Sequence, residues 1–177
     1  MSRIALFTDV SINKNLKIVF GAYLMIPKSY LNENSYESIK KEVKLKKFEL
    51  TSSTRLEIEA LLWSLEELEK NHKEKDLYRN VTIYTDSQCI AGLSGRRTKL
   101  EPSEFKSSKT NKELNNASLY RRFYLFSDKL KFEIIKLKGH SKSMLKDKIH
   151  KMFSTVDKES RKALMAYLDK NKLHYII

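Results

Sequence analysis

The stretch VTIYTDSQCIAGL, Val81 to Leu93, decides the fold. Val81 and Ile83 alternate with their neighbours up to Thr85 at the period of a β-strand, and Ser87 opens a helical spacing through Ile90 and Leu93. Asp86 therefore stands at the carboxyl end of a strand, the edge where α/β folds gather ligand chemistry. A plainer role is also open to it, as the cap of the following helix.

Working outward, the run Arg3 to Thr8 hands over to Asp9 in TDVS, the same strand-then-carboxylate arrangement. Leu16 to Ile26 (LKIVFGAYLMI) reads as a second strand closed by Pro27, with Gly21 marking a bulge. Residues 28–40 read as a polar loop. Val43 to Leu50, with lysines 44, 46 and 47, reads as a third, half-exposed strand. Three strands without an intervening helix imply an antiparallel meander. A helix follows in TSSTRLEIEALLWSLEELEKN, where Thr54 and Glu57 make a capping box and Glu57 shares a stripe with Leu61, Leu65 and Leu68. Glu57 is then either a cap or a carboxylate held above the core.

Beyond the opening stretch, Gly95 to Lys112 is a basic excursion carrying Arg96, Arg97, Lys99, Lys106, Lys109 and Lys112, either a solvated face or a surface that tracks phosphates. Leu114 to Leu130 has helical spacing, and Lys131 to Leu137 reads as a fifth strand ending in Lys138, Gly139 and His140. A lysine-rich loop, 141–151, leads to a capping box of Ser154 and Asp157 that opens a last helix. There Asp157 is a dipole partner or a fourth functional acid, and His140 a solvated side chain or a proton carrier.

The chain has 177 residues with 35 Lys and Arg against 22 Asp and Glu, a net charge of +13. One domain over 1–177 is expected, and its charge suits a polyanion, nucleic acid ahead of an anionic membrane. The single Cys89 excludes an internal disulfide and fits a reducing compartment, and MSRIALF is too short for a signal peptide or a span. The expectation is a soluble, cytoplasmic protein. If strands one and four are neighbours, Asp9, Glu57, Asp86 and Asp157 converge. Like charges so close call for a cation, and oxygen ligands without Cys or His favour Mg²⁺ or Mn²⁺. Two such ions about 4 Å apart can clamp a phosphodiester for hydrolysis.

Four segments in order, TDVS (Thr8 to Ser11), STRLEIEAL (Ser53 to Leu61), IYTDSQ (Ile83 to Gln88), and KGH (Lys138 to His140) followed by VDKESRKAL (Val156 to Leu164), resemble the type 1 ribonucleases H. The resemblance implies a ribonuclease H-like fold, a five-stranded mixed sheet of order 3-2-1-4-5 with the first three strands antiparallel, flanked by helices. It implies an endonuclease that cuts the RNA strand of RNA–DNA hybrids with two Mg²⁺ ions, leaving 5′-phosphate and 3′-hydroxyl ends. No obligate protein partner is evident in the sequence, and a monomer is expected. By the same resemblance Asp9, Glu57, Asp86 and Asp157 are the metal-binding acids, and His140 assists turnover. Ser11, Asn15, Ser53, Thr54, Gln88, Arg96, Arg97 and Asn116 contact substrate, and residues 95–116 form a basic handle. The chain departs from the family pattern at Val10, where glycine is usual, and at Ser53 and Thr54, where an asparagine pair is usual. The alternatives are a non-catalytic hybrid-binding protein and a DNA nuclease of the same fold, resolvase-like or transposase-like.

Overall fold

The structure is a computed structural model, and it describes residues 3–32, 36–49, 51–71, 81–137 and 144–171. In chain order the elements are β1 (Ile4–Asn13), β2 (Ile18–Pro27), a 3₁₀ turn (Lys28–Asn32), α1 (Tyr36–Lys41), β3 (Lys44–Glu49), α2 (Ser53–Asn71), β4 (Val81–Thr85), α3 (Gln88–Leu100), α4 (Ala117–Leu130), β5 (Glu133–Lys136) and α5 (Met144–Lys170). The five strands form one sheet of order β3-β2-β1-β4-β5. β1, β2 and β3 pair antiparallel, and β4 runs parallel to β1 and to β5. The expected sheet and its order are therefore those of the molecule.

The period of a strand sorts β1 between two layers. Ile4 and Leu6 face α2, α3 and α4, packing with Ile58, Leu61, Ile90 and Phe123. Ala5 and Phe7 face the other way, onto Met152 and Val156 of α5 and Ile39 of α1. Both faces of the central strand are closed to water, and each fully buried Leu, Ile or Phe contributes roughly 1.5–3 kcal/mol.

Several boundaries differ from those expected of the sequence. β1 does not stop before Asp9, because antiparallel pairing with β2 continues to Asn13 opposite Ile18; only the parallel pairing with β4 ends early, at Phe7 opposite Tyr84. Gly21 marks no bulge, since its register opposite Val10 is unbroken. It is required because a Cβ there would lie 2.6 Å from the Phe48 ring. Residues 28–40 include a 3₁₀ turn and most of α1, with Leu31 and Ile39 buried against α5, so they are not simply a polar loop. The Thr54 and Glu57 capping box does not form. The Ser52 hydroxyl accepts from the Arg55 amide at 3.2 Å and the Ser52 carbonyl from the Leu56 amide at 3.0 Å, which places Thr54 inside the helix.

α3 extends to Leu100, longer than its apolar spacing suggested, as Arg97 and Glu101 pair one turn apart at 2.8 Å. The lysine-rich segment is helical from Met144, because Met152 and Val156 bury their side chains in the sheet. Ser154 and Asp157 are therefore in the middle of α5 and cap nothing. Among the described residues no helix is long and apolar enough to cross a membrane.

Candidate active site

β1 outlasts its parallel neighbour, and this opens a cleft at the carboxyl edge of the two strands. Past Phe7 and Tyr84 the strands no longer pair, and Asp9 on β1 and Asp86 just beyond β4 emerge into the gap. The first turns of α2 add Glu57 from the other layer. Asp9, Glu57 and Asp86 line one cavity of about 240 Å³, floored by Thr8, Thr85 and Ala60.

Three of the four acids, Glu57, Asp9 and Asp157, are held by neighbours that the fold supplies. The Ser87 hydroxyl donates to Glu57 Oε2 at 2.5 Å while its oxygen accepts from the Ile90 amide at 3.2 Å, so one serine caps α3 and orients the α2 carboxylate. Glu57 does not reach back to its own helix start. On the α5 side, the fully buried Ser160 Oγ lies 2.7 Å from Ser11 Oγ, 2.9 Å from the Asp157 carbonyl and 3.2 Å from Asp9 Oδ2, to which it can donate. Asp157, one turn earlier, accepts from Arg161 Nε at 2.8 Å.

Burial, then the charges of Asp157 and Asp86, raise the Asp9 carboxyl from its ordinary 3.8 to about 7, with the Ser160 bond working in the opposite direction. Asp9, Asp86 and Asp157 thus interact electrostatically, and Glu57 shares the cavity of Asp9 and Asp86. Among the described residues no three acidic, histidine or cysteine side chains are gathered to the point of ligating one ion, because Glu57 is turned to Ser87 and Asp157 to Arg161. The donor set nevertheless fits a hard divalent cation. It is oxygen-only, and Asp9 is raised by burial and then by repulsion from Asp157 and Asp86, a repulsion that a cation would relieve.

The remaining predicted residues divide. Ser11 is buried and bonded to Ser160. Asn15 is exposed in the β1–β2 turn, and Ser53 is exposed with Thr54 half-buried beside it at the start of α2. Gln88 is exposed and its Oε1 accepts from Lys136 Nζ. Arg96 is exposed with its guanidinium 5.3 Å from the Tyr120 ring centre. Arg97 is committed elsewhere, bidentate to Asp128 at 2.5 and 2.8 Å and to Glu101 at 2.8 Å. Asn116 precedes α4 without a capping bond and borders an open cavity shared with Asn115 and Tyr120. His140 lies outside the described residues.

The family model described as RNase H matches residues 1–163. The chain belongs to the RNase H family. No curated protein matches it in sequence. Similar solved structures of RNase H fold include a foamy viral protease–reverse transcriptase in complex with dsDNA, at 15% identity and a TM-score of 0.59 over 85% of this chain and 91% of that one. LC11-RNase H1, isolated from compost by a metagenomic approach, is 16% identical with a TM-score of 0.56 over 93% of this chain and 99% of that one. The same LC11-RNase H1 in complex with RNA/DNA hybrid gives 13% and 0.51, over 77% and 86%. At these identities the likeness is one of fold.

Within this RNase H-family chain, Ser87 and Ser160 are the site residues that sequence reasoning missed. Ser160 left a signal: Val156, Ser160 and Leu164 are four residues apart on the buried face of α5, and a serine there needs a polar partner.

Proposed function

We propose that the protein hydrolyses the RNA strand of RNA–DNA hybrids with divalent metal, leaving 5′-phosphate and 3′-hydroxyl ends. The observation that carries this reading is the convergence of Asp9, Glu57 and Asp86, from three separate elements, on one cavity, with Asp157 near enough to raise the Asp9 carboxyl. Family membership and the hybrid-bound LC11-RNase H1 support the choice of substrate. Asp9, Glu57, Asp86 and Asp157 would hold Mg²⁺ or Mn²⁺, two ions when substrate is bound. Bound ions supply activation of water and stabilisation of the leaving oxygen.

The protein's own part is to hold four carboxylates against mutual repulsion and to release two of them on demand. Ser87 and Arg161 occupy Glu57 and Asp157 through single bonds that a cation can displace. Arg96, Asn15, Ser53, Thr54, Gln88 and Asn116 would contact the substrate, and 2′-hydroxyls in the shallow groove would mark the RNA strand. His140 would carry a proton or speed product release. The test offers labelled hybrid, RNA duplex and DNA duplex in parallel, with Mg²⁺, Mn²⁺ or chelator. Metal-dependent cutting of hybrid RNA alone is expected. Tight hybrid binding without cleavage, or cutting of DNA alone, would overturn the reading.

A further inference from the structure

The basic handle read from the sequence is partly neutralised in the fold. Of its six bases in residues 95–112, Arg97 is bound by Asp128 and Glu101 and Lys106 by Glu104, which leaves Arg96, Lys99, Lys109 and Lys112 without a carboxylate partner among the described residues. An equal number of cations stands unpaired within the seven residues 41–47, at the opposite edge of the sheet. Lys41 closes α1, and Lys44, Lys46 and Lys47 lie on β3, all exposed and none paired with an acid among the described residues.

Glu42 and Glu49 flank the row, yet the ten residues 40–49 hold five lysines against these two acids, a net of +3. Two of the lysines are held in place by uncharged groups. Lys46 Nζ stands 5.3 and 5.5 Å from the Phe48 and Trp63 ring centres, and Lys47 Nζ donates to the Tyr167 hydroxyl at 2.7 Å. Charge on an edge strand also discourages strand addition, but one or two charges of either sign serve that purpose.

Register relates this row to the carboxylates. Asp9 lies opposite Ala22, and Ala22 opposite Leu45, so the centre of the row is two strand spacings, about 10 Å, from Asp9. The excursion that follows α3 leaves from the β4 side. The carboxylates therefore lie between two cation patches.

We propose that Lys41, Lys44, Lys46 and Lys47, which flank this sheet edge with Lys46 on the α2 face and Lys47 on the α5 face, form a second phosphate-binding edge that holds the substrate duplex on the side of the site away from the handle. The proposal rests on the hybrid reading only for the identity of the duplex.

The test is hybrid binding by the full chain in chelator across a salt series, so that cleavage is not required. Every phosphate that a variant no longer neutralises lowers the slope of log K against log salt by about 0.9. Lys44→Gln/Lys46→Gln/Lys47→Gln should lower the slope by about 2 to 3 and weaken affinity several-fold per lysine near 0.1 M salt. Lys41→Gln/Lys44→Gln, whose lysines have no side-chain partner among the described residues, should lower it by about 2 with an unchanged melting temperature. A short hybrid covering only the carboxylates should be bound alike by all three proteins. An unchanged slope in the folded double variant overturns the proposal, including the case where the variants instead fail to bind anionic phospholipid vesicles. A lowered slope in a chain that cuts no hybrid would retain this surface and remove the nuclease reading.

Discussion

Asp9→Asn should abolish cleavage and at the same time stabilise the metal-free protein. The Asp9 carboxyl is raised from 3.8 to about 7 chiefly by burial. Its folded form binds a proton more tightly than the unfolded chain does, so the associated stability is complete below about pH 4. It is lost as pH rises through about 7 and is then constant. At about 1.4 kcal/mol per pH unit, the cost of ionised Asp9 above pH 7 is on the order of 4 kcal/mol as a ceiling. An asparagine carries no charge and keeps an oxygen for the Ser160 hydroxyl, but its amide hydrogens have no acceptor assigned, which takes back about 1–2 kcal/mol.

A net gain of about 2 kcal/mol remains, or roughly 4–8 °C in melting temperature for a chain of this size. The assay is thermal unfolding of both proteins from pH 4 to pH 8.5 in chelator. The variant should melt a few degrees below the wild type at pH 4, where only the amide penalty acts, and above it at pH 8, and Mg²⁺ should narrow the gap at pH 8 by binding the wild-type carboxylates. Curves that stay parallel across the whole range would refute the placement of Asp9 as a buried, mutually repelled acid.

Asp86 is exposed at the cavity mouth, so Asp86→Asn should remove activity while leaving melting temperature and hybrid affinity in chelator near wild type; retained cleavage would count against the site. Ser160→Ala strands Ser11 in a buried position and removes a donor from Asp9, and should cost about 1–3 kcal/mol in urea unfolding. Gly21→Ala drives a methyl into the Phe48 ring and should cost about 1–3 kcal/mol, recovered in part by Phe48→Leu. Arg97→Gln should change the salt dependence of hybrid binding less than Arg96→Gln, because Asp128 and Glu101 already engage the Arg97 guanidinium.

The sheet was legible because each strand of the meander carries its own alternation, and because a strand, a carboxylate and a helix start follow one another at Asp86; Asp9, by contrast, lies within β1, which continues to Asn13. Helix starts were less legible. Ser52, Ser53 and Thr54 are three candidate caps in a row, and only the backbone decides that Ser52 accepts the Arg55 amide. The start of α5 was missed because its first turns are rich in lysine, and the apolar anchors that keep them helical, Met152 and Val156, lie further along the chain. The acids were visible as residue types beside apolar runs, although Asp9 lies within β1 and Asp157 within α5, whereas their partners were not visible. Ser87 lies thirty positions from Glu57, and Ser160 lies 151 from Asp9, separations over which periodicity carries no information.

Those partners explain how a site of four acids survives in a folded chain without collapsing onto one geometry. Glu57 and Asp157 are tied to Ser87 and Arg161, each through one bond, and Asp9 is left near neutrality by burial and by the charges around it. A divalent cation entering the cavity would favour ionised Asp9 and compete for the two tied carboxylates, so binding it should release a proton near pH 7. Proton release can be read by titrating Mg²⁺ into the protein in buffers of different ionisation enthalpy. Close to one proton per site is expected below pH 7 and a falling number above it, and Asp9→Asn should release none. Equal release by the wild type and the variant would place the metal away from Asp9 and detach the cavity from the chemistry assigned to it.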